Sequence, residues 1–184
     1  MTPTGQLREE HEGIRLMLRI LDRISDKLES GEKVNPEHLE RIVEFFRIFV
    51  DKCHHGKEEG LLFPEMERLG ITRERGPIGV MLMEHEQGRD YVGGMAEAAA
   101  AYKEGDPSAH VEFTRNARLY IGLLSEHIEK ENDVLFVMGD QRIPPEKQEE
   151  LLQGFETLEQ EKIGAGTHEE FHKLLEQLKE IYLA

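Results

Sequence analysis

Two stretches of the chain carry donors suited to holding metal ions, and one is a copy of the other. His54-His55-Gly56-Lys57-Glu58-Glu59-Gly60-Leu61-Leu62-Phe63 returns as His127-Ile128-Glu129-Lys130-Glu131-Asn132-Asp133-Val134-Leu135-Phe136. Both read H-x-x-K-E-x-x-[LV]-L-F, seventy-three positions apart (54 to 127). Residues i and i+4 share a helical face, so each copy offers an imidazole beside a carboxylate, a two-pronged clamp for a cation. A second pair keeps nearly the same step: Glu10-His11-Glu12-Gly13-Ile14-Arg15 and Glu84-His85-Glu86-Gln87-Gly88-Arg89, both E-H-E-x-x-R, seventy-four positions apart (10 to 84). One histidine, then H-x-x-x-E, then the same again, is the trace of a duplicated helical hairpin, with halves at about 1–70 and 75–140.

The elements that must position these donors follow from apolar spacing. From about Leu7 to Leu28, Ile14, Met17, Leu18, Leu21 and Ile24 recur at helical steps, and His11 lies on their stripe. Asn35-Pro36 caps and opens a second helix, whose seam runs Leu39, Val43, Phe46, Val50, His54, Glu58, Leu61 and Leu62. Pro64 predicts a kink, because it removes the bond to the Gly60 carbonyl, and Gly70 an end. Gly76-Pro77 starts a third helix carrying Ile78, Met81, His85, Val92 and Met95 on one face, closed by Gly105. Asp106-Pro107 caps and opens the fourth, with Leu119, Tyr120, Leu123, His127, Glu131, Val134 and Leu135 on one face before Gly139.

The fold predicted is all-α: an antiparallel up-down four-helix bundle over residues 1–140, with two shorter C-terminal helices over 141–184. The first of these follows Pro144-Pro145 to about Ile163, and the second starts at Thr167, where Thr167-x-x-Glu170 reads as a capping box. Their apolar residues, Leu151, Phe155, Phe171, Leu174, Leu178 and Tyr182 among them, must cover the bundle or a second subunit, which would make a homodimer. This tail is expected to supply cover and no ligand to the centre.

Composition narrows the function. Acidic residues outnumber basic ones 38 to 23, a formal net charge of −15, so nucleic acid and anionic membranes would be repelled over most of the surface. No apolar run approaches the roughly 20 residues needed to span a bilayer, and the single cysteine, Cys53, permits no internal disulfide; a cytoplasmic protein is expected.

Bundles that project His and Glu inward from facing helices build two-metal carboxylate sites. The predicted ligands are His11, His54, Glu58, His85, His127 and Glu131. Two cations a few ångströms apart need anionic bridges, a role that falls to Glu58 and Glu131, with the histidines divided two to each ion. Imidazole with carboxylate suits iron, manganese or zinc. An octahedral ion sharing such bridges keeps about one open position, where O2, peroxide or NO could bind.

With those residues in place, the sequence resembles the haemerythrin-like, or HHE cation-binding, family over roughly residues 5 to 140. His11, the His54-x-x-x-Glu58 pair with Phe63-Pro64 after it, His85, and the His127-x-x-x-Glu131 pair match that family's motif positions. The resemblance implies a four-helix bundle with a non-haem di-iron centre, in a family of oxygen carriers, iron or oxygen sensors and proteins that repair nitrosative damage. The chain departs from the oxygen carriers, which have H-x-x-x-H where His85 is followed by Arg89 and H-x-x-x-x-D where His127 is followed by Glu131. It is closer to the H, HxxxE, H, HxxxE subgroup, where peroxide breakdown and redox or iron sensing are suggested. The function expected is that of a di-iron protein that binds, senses or reduces a small oxidant, with peroxide decomposition the activity if it is an enzyme. The alternatives are a metal- or oxygen-responsive regulatory module without turnover, and an iron-storage or iron–sulfur repair role.

Other residues divide between chemistry and packing. Glu10, Glu84 and Glu126 each precede a predicted ligand histidine, and either hold its other ring nitrogen or lie on a solvated face. Tyr120 is on the face of His127, close enough to approach the ions, although packing is the simpler reading. His55 and Glu59 are also H-x-x-x-E, but Ile128 and Asn132 stand in register with them, so they read as flanking residues. Arg15 and Arg89 read as salt-bridge partners. Cys53 reads as a small core residue, with a reactive thiol or extra ligand as the alternative. His168-Glu169-Glu170-Phe171-His172 matches the zinc-protease pattern H-E-x-x-H, but only twelve residues follow it, too few for a distant third ligand, and Glu170 belongs to the expected cap.

Overall fold

Thr2, in extended backbone, caps the first helix by accepting from the Gly5 N–H at 3.0 Å, and Pro3 occupies the first turn, so α1 spans Pro3–Glu29 and starts ahead of the expected Leu7. The computed structural model describes all 184 residues and contains no strand. Asn35 accepts from the Glu37 N–H at 3.0 Å and opens α2. This helix is α-helical over Pro36–Phe45, widens into π-helical turns over Phe46–His55 and Glu58–Leu62, and is α-helical again over Phe63–Arg68. Helix α3 spans Pro77–Lys103, and α4 runs through Ala109–Lys130, a π-helical turn at Glu131–Leu135, and Phe136–Arg142. The tail contributes α5, Pro145–Leu158 ending in π-helical Glu159–Ile163, and α6, Thr167–Tyr182.

Four boundary expectations are corrected. The backbone adjustment near Pro64 is a π-helical turn, in which the Phe63 N–H reaches the Glu58 carbonyl. The same turn recurs in α4, where the Phe136 N–H reaches Glu131 and the residue in register with Pro64 is Val137, so proline is not its cause. Asp106-Pro107 forms a turn rather than the helix start: Asp106 accepts from the Ser108 N–H and hydroxyl, both at 2.9 Å, and α4 begins at Ala109. Gly139 does not end α4; a Cβ there would lie 3.2 Å from Met66 Cε, so glycine permits close packing against α2, and the helix stops before Ile143, which is extended ahead of Pro144. The capping box at Thr167 does not form, because its hydroxyl donates to the Ile163 carbonyl at 3.1 Å and Gly166 occupies the cap position.

Helices α1 and α3 each pack against both α2 and α4, which closes a four-helix ring; α5 and α6 lie against α1 and α2. Leu151, Phe155, Phe171, Leu174, Leu175 and Leu178 are buried there within the same chain. The interior is two apolar clusters, not one. The larger includes Ile14, Leu21, Phe45, Phe46, Met95, Phe113 and Phe171; the smaller includes Leu7, Phe63, Met66, Met81, Phe136 and Phe155. Along α1, α2 and α3 the predicted ligands fall between the residues of the two clusters, and on α4 only Ile128 of the larger cluster comes after His127, so the fold is a pair of hydrophobic blocks with a polar layer between them.

Candidate metal centre

That layer gathers all six predicted ligands, each at most 1% exposed. Glu58 Oε1 lies 3.2 Å from His54 Nε2, and its Oε2 lies 3.2 Å from His85 Nε2. Glu131 mirrors it, with Oε1 3.1 Å from His127 Nε2 and Oε2 3.1 Å from His11 Nε2. The imidazoles pair off, with His11 Nε2 3.0 Å from His54 Nε2 and His85 Nε2 3.2 Å from His127 Nε2. Each half of the layer therefore holds two imidazole nitrogens, one oxygen of Glu58 and one oxygen of Glu131.

The outer nitrogens decide what the inner ones can do. Nδ1 of His54 donates to Glu10 at 2.7 Å, Nδ1 of His127 to Glu84 at 3.2 Å, Nδ1 of His85 to Glu59 at 2.7 Å, and Nδ1 of His11 to Asn132 Oδ1 at 2.8 Å. With that proton committed outward, a neutral ring turns a lone pair on Nε2 towards the centre. None of the four carboxylate oxygens of Glu58 and Glu131 accepts a well-directed hydrogen bond, although all are fully buried. Buried acceptors without donors are costly. Converging imidazole lone pairs and carboxylates are the donor set of a divalent cation pair, and the residues fit one.

Protons are the other positive charge such a cluster can draw in. Burial opposes charge on His54 and His127, but Glu58 and Glu10 around the first, and Glu131 and Glu84 around the second, outweigh it and raise both to about 10. Burial and the neighbouring Glu131 push the Glu58 carboxyl up, yet the facing imidazoles prevail and hold it at about 2. Glu131 is likewise held well below the carboxylate range, burial being outweighed by His127 and His11.

The outer acceptors follow the duplication in a way that the sequence reading missed. Glu10 and Glu84 do hold ring nitrogens, but those of His54 and His127 on the next helix, not of their chain neighbours. Glu59, read as flanking, and Asn132, which stands in register with it, occupy equivalent positions and hold His85 and His11. The lysine of each H-x-x-K-E copy completes the pattern: Lys57 pairs with Glu10, and Lys130 with Glu84. The repeated lysine was the available signal. Lys57 is fully buried, because Glu159 also pairs with it and the Phe155 ring lies 5.6 Å away. Arg89 pairs with Glu59 and Asp51, each at 2.8 Å, and so steadies the acceptor of His85; Arg15 pairs only with Glu12 at the surface.

The remaining candidates separate clearly. Glu126 is exposed and touches no ring nitrogen, which corrects one of its two readings. His55 is not a bystander: buried, it stacks on His85 with centroids 3.7 Å apart and lies with His85, His127 and Glu58 within 4.8 Å, while Nδ1 meets Asp51 at 3.3 Å. Burial and the neighbouring His85 hold its pKa well below the usual range. Tyr120 is buried, packs edge-on against Phe46 at 4.8 Å, and helps to line a cavity of about 250 Å³ together with His55, His85, Arg89 and Val92. Nothing from the tail enters the layer.

The family model of the Hemerythrin HHE cation binding domain matches residues 2–138. The chain belongs to that family, whose members bind metal cations. Neither a curated protein nor a solved structure matches it. No helix is long and apolar enough to cross a membrane.

Proposed function

We propose that this is a non-haem di-iron protein that binds, senses or reduces a small oxidant such as O2, peroxide or NO. The observation that carries the reading is the pair of buried carboxylates, Glu58 and Glu131, each with one oxygen in either half of the layer and no hydrogen-bond donor. His11 and His54 would hold one ion and His85 and His127 the other, with both glutamates bridging. Iron there would supply open coordination positions and one-electron redox change to a small ligand.

The chain's own residues do the rest. Glu10, Glu59, Glu84 and Asn132 fix the tautomer and tilt of the four imidazoles. The apolar blocks on either side exclude bulk water, and the cavity beside His55 and His85 is the approach for a small molecule. One observation supports a responsive module rather than turnover alone: Glu10, which holds His54, shares Lys57 with Glu159 of the tail. Metal analysis of protein purified anaerobically, with optical spectra before and after exposure to air, tests the reading. Iron in both positions and an oxidation-dependent absorption change are expected; a protein without iron, or iron indifferent to O2, peroxide and NO, would refute it.

A further inference from the structure

A third group of donors lies apart from the six, at the seam between α2 and the tail. Cys53 Sγ is 3.2 Å from His168 Nε2, which is 3.8 Å from Glu159 Oε1. The donor atoms of all three residues lie within 4.8 Å of one another. Cys53 comes from the π-helical stretch of α2, whereas Glu159 and His168 flank the turn at Gly164-Ala165-Gly166. Both glycines have positive φ, 96° and 86°, a conformation that side chains disfavour, so the turn is built to bring α6 back and set two tail donors against one thiol.

We propose that Cys53, Glu159 and His168 form a mononuclear site for a zinc-like divalent cation, separate from the dinuclear centre, that clamps the tail onto the bundle. Sulfur, imidazole and carboxylate are zinc's donors. Bonds of about 2.3 Å to sulfur and 2.0–2.2 Å to nitrogen and oxygen make the edges of a tetrahedron about 3.4–3.6 Å, and the two observed separations fall on either side of that range. A cavity of about 270 Å³ lined by Glu9, Glu10, His168 and His172 adjoins the cluster and offers water or His172 as a fourth ligand. In the second hairpin, which no tail covers, the position in register with Cys53 is the exposed Glu126, so the site exists only where there is a tail to hold.

Cysteine occurs once in the chain, and sulfur is absent from the dinuclear donor set, so a thiolate signal reports this site alone. Anaerobic titration of the purified full-length protein with Co2+ should produce thiolate-to-cobalt charge-transfer absorption in the near ultraviolet that saturates at one equivalent per chain. Cys53→Ser should abolish that band. His168→Ala should weaken the cobalt ion that gives it by at least about tenfold while leaving the iron content unchanged, and Zn2+ should protect the Gly164–Gly166 turn of the native chain from limited proteolysis. Absence of the band from the native protein, a band of unchanged affinity in His168→Ala, or loss of iron in that variant would each overturn the proposal.

Discussion

Glu58 and Glu131 each face both pairs of imidazoles, with oxygens 3.1–3.2 Å from the nearest ring nitrogens. Removing either carboxylate strips one donor from both halves, and under the proposed arrangement one of two bridges. Glu58→Ala or Glu131→Ala should therefore release both ions together, as read by metal analysis; loss of one ion with the other intact would show that the carboxylates do not bridge. His55→Ala, by contrast, removes a ring stacked on His85 and lining the approach cavity. It should keep both ions and change the optical response to azide or NO, and loss of an ion would make His55 a ligand. One step further out, Glu10→Ala and Glu84→Ala should weaken metal binding by about 10–100-fold, whereas Glu126→Ala, on the exposed face, should leave it unchanged. The six inward donors were legible because helical spacing alone places them on the apolar stripes. Two of their outer partners, Glu10 and Glu84, were legible as residues that hold a ring nitrogen, but not which ring: Glu10 grips the histidine of the next helix rather than its neighbour His11, and contacts between helices leave no spacing in the sequence.

Among the elements, the two π-helical turns that begin at Glu58 and Glu131 show what periodicity cannot reveal. A pattern with a step of 3.6 residues predicts an unbroken α-helix, and Pro64 drew attention to the right place for the wrong reason, since the copy with Val137 has the same turn. Pro64→Ala should consequently keep the metal content and shift the melting temperature by only a few degrees, as a change of about 1 kcal/mol or less would. Caps were legible at Asn35-Pro36 and at Gly76-Pro77, missed at Thr2-Pro3, where the helix was expected only from about Leu7, and misleading where a glycine serves packing, as at Gly139. The tail's apolar faces were visible in the sequence, but which surface they cover was not. Phe155 is fully buried between α5 and the smaller apolar block. Phe155→Ala should cost about 3–5 kcal/mol out of a typical 5–15 kcal/mol, and truncation after Arg142 should leave the chain unfolded or insoluble; a soluble, fully helical truncation by circular dichroism would contradict this.

For the whole molecule, the polar layer makes stability depend on pH and on metal together. His54 and His127 are raised to about 10 in the fold, against about 6.5 unfolded. In chelated protein their contribution is complete below about pH 6.5 and lost as pH rises through about 10. Glu10 and Glu58, lowered from 4.5 to about 2, contribute above the unfolded value, and that contribution is lost as pH falls towards 2. Chelated protein should thus weaken steadily in urea from neutral pH to pH 10, whereas the loaded protein, whose inward nitrogens are occupied by metal, should hold its midpoint there. Parallel curves would mean that metal does not replace the protons on these imidazoles.

The most direct measurement is X-ray absorption at the iron edge of the purified full-length protein. A dinuclear centre held by four imidazoles and two bridging carboxylates predicts a first shell of nitrogen and oxygen only, with a second iron at about 3.5–4 Å. An iron shell containing sulfur, or isolated iron with no metal neighbour, would contradict it.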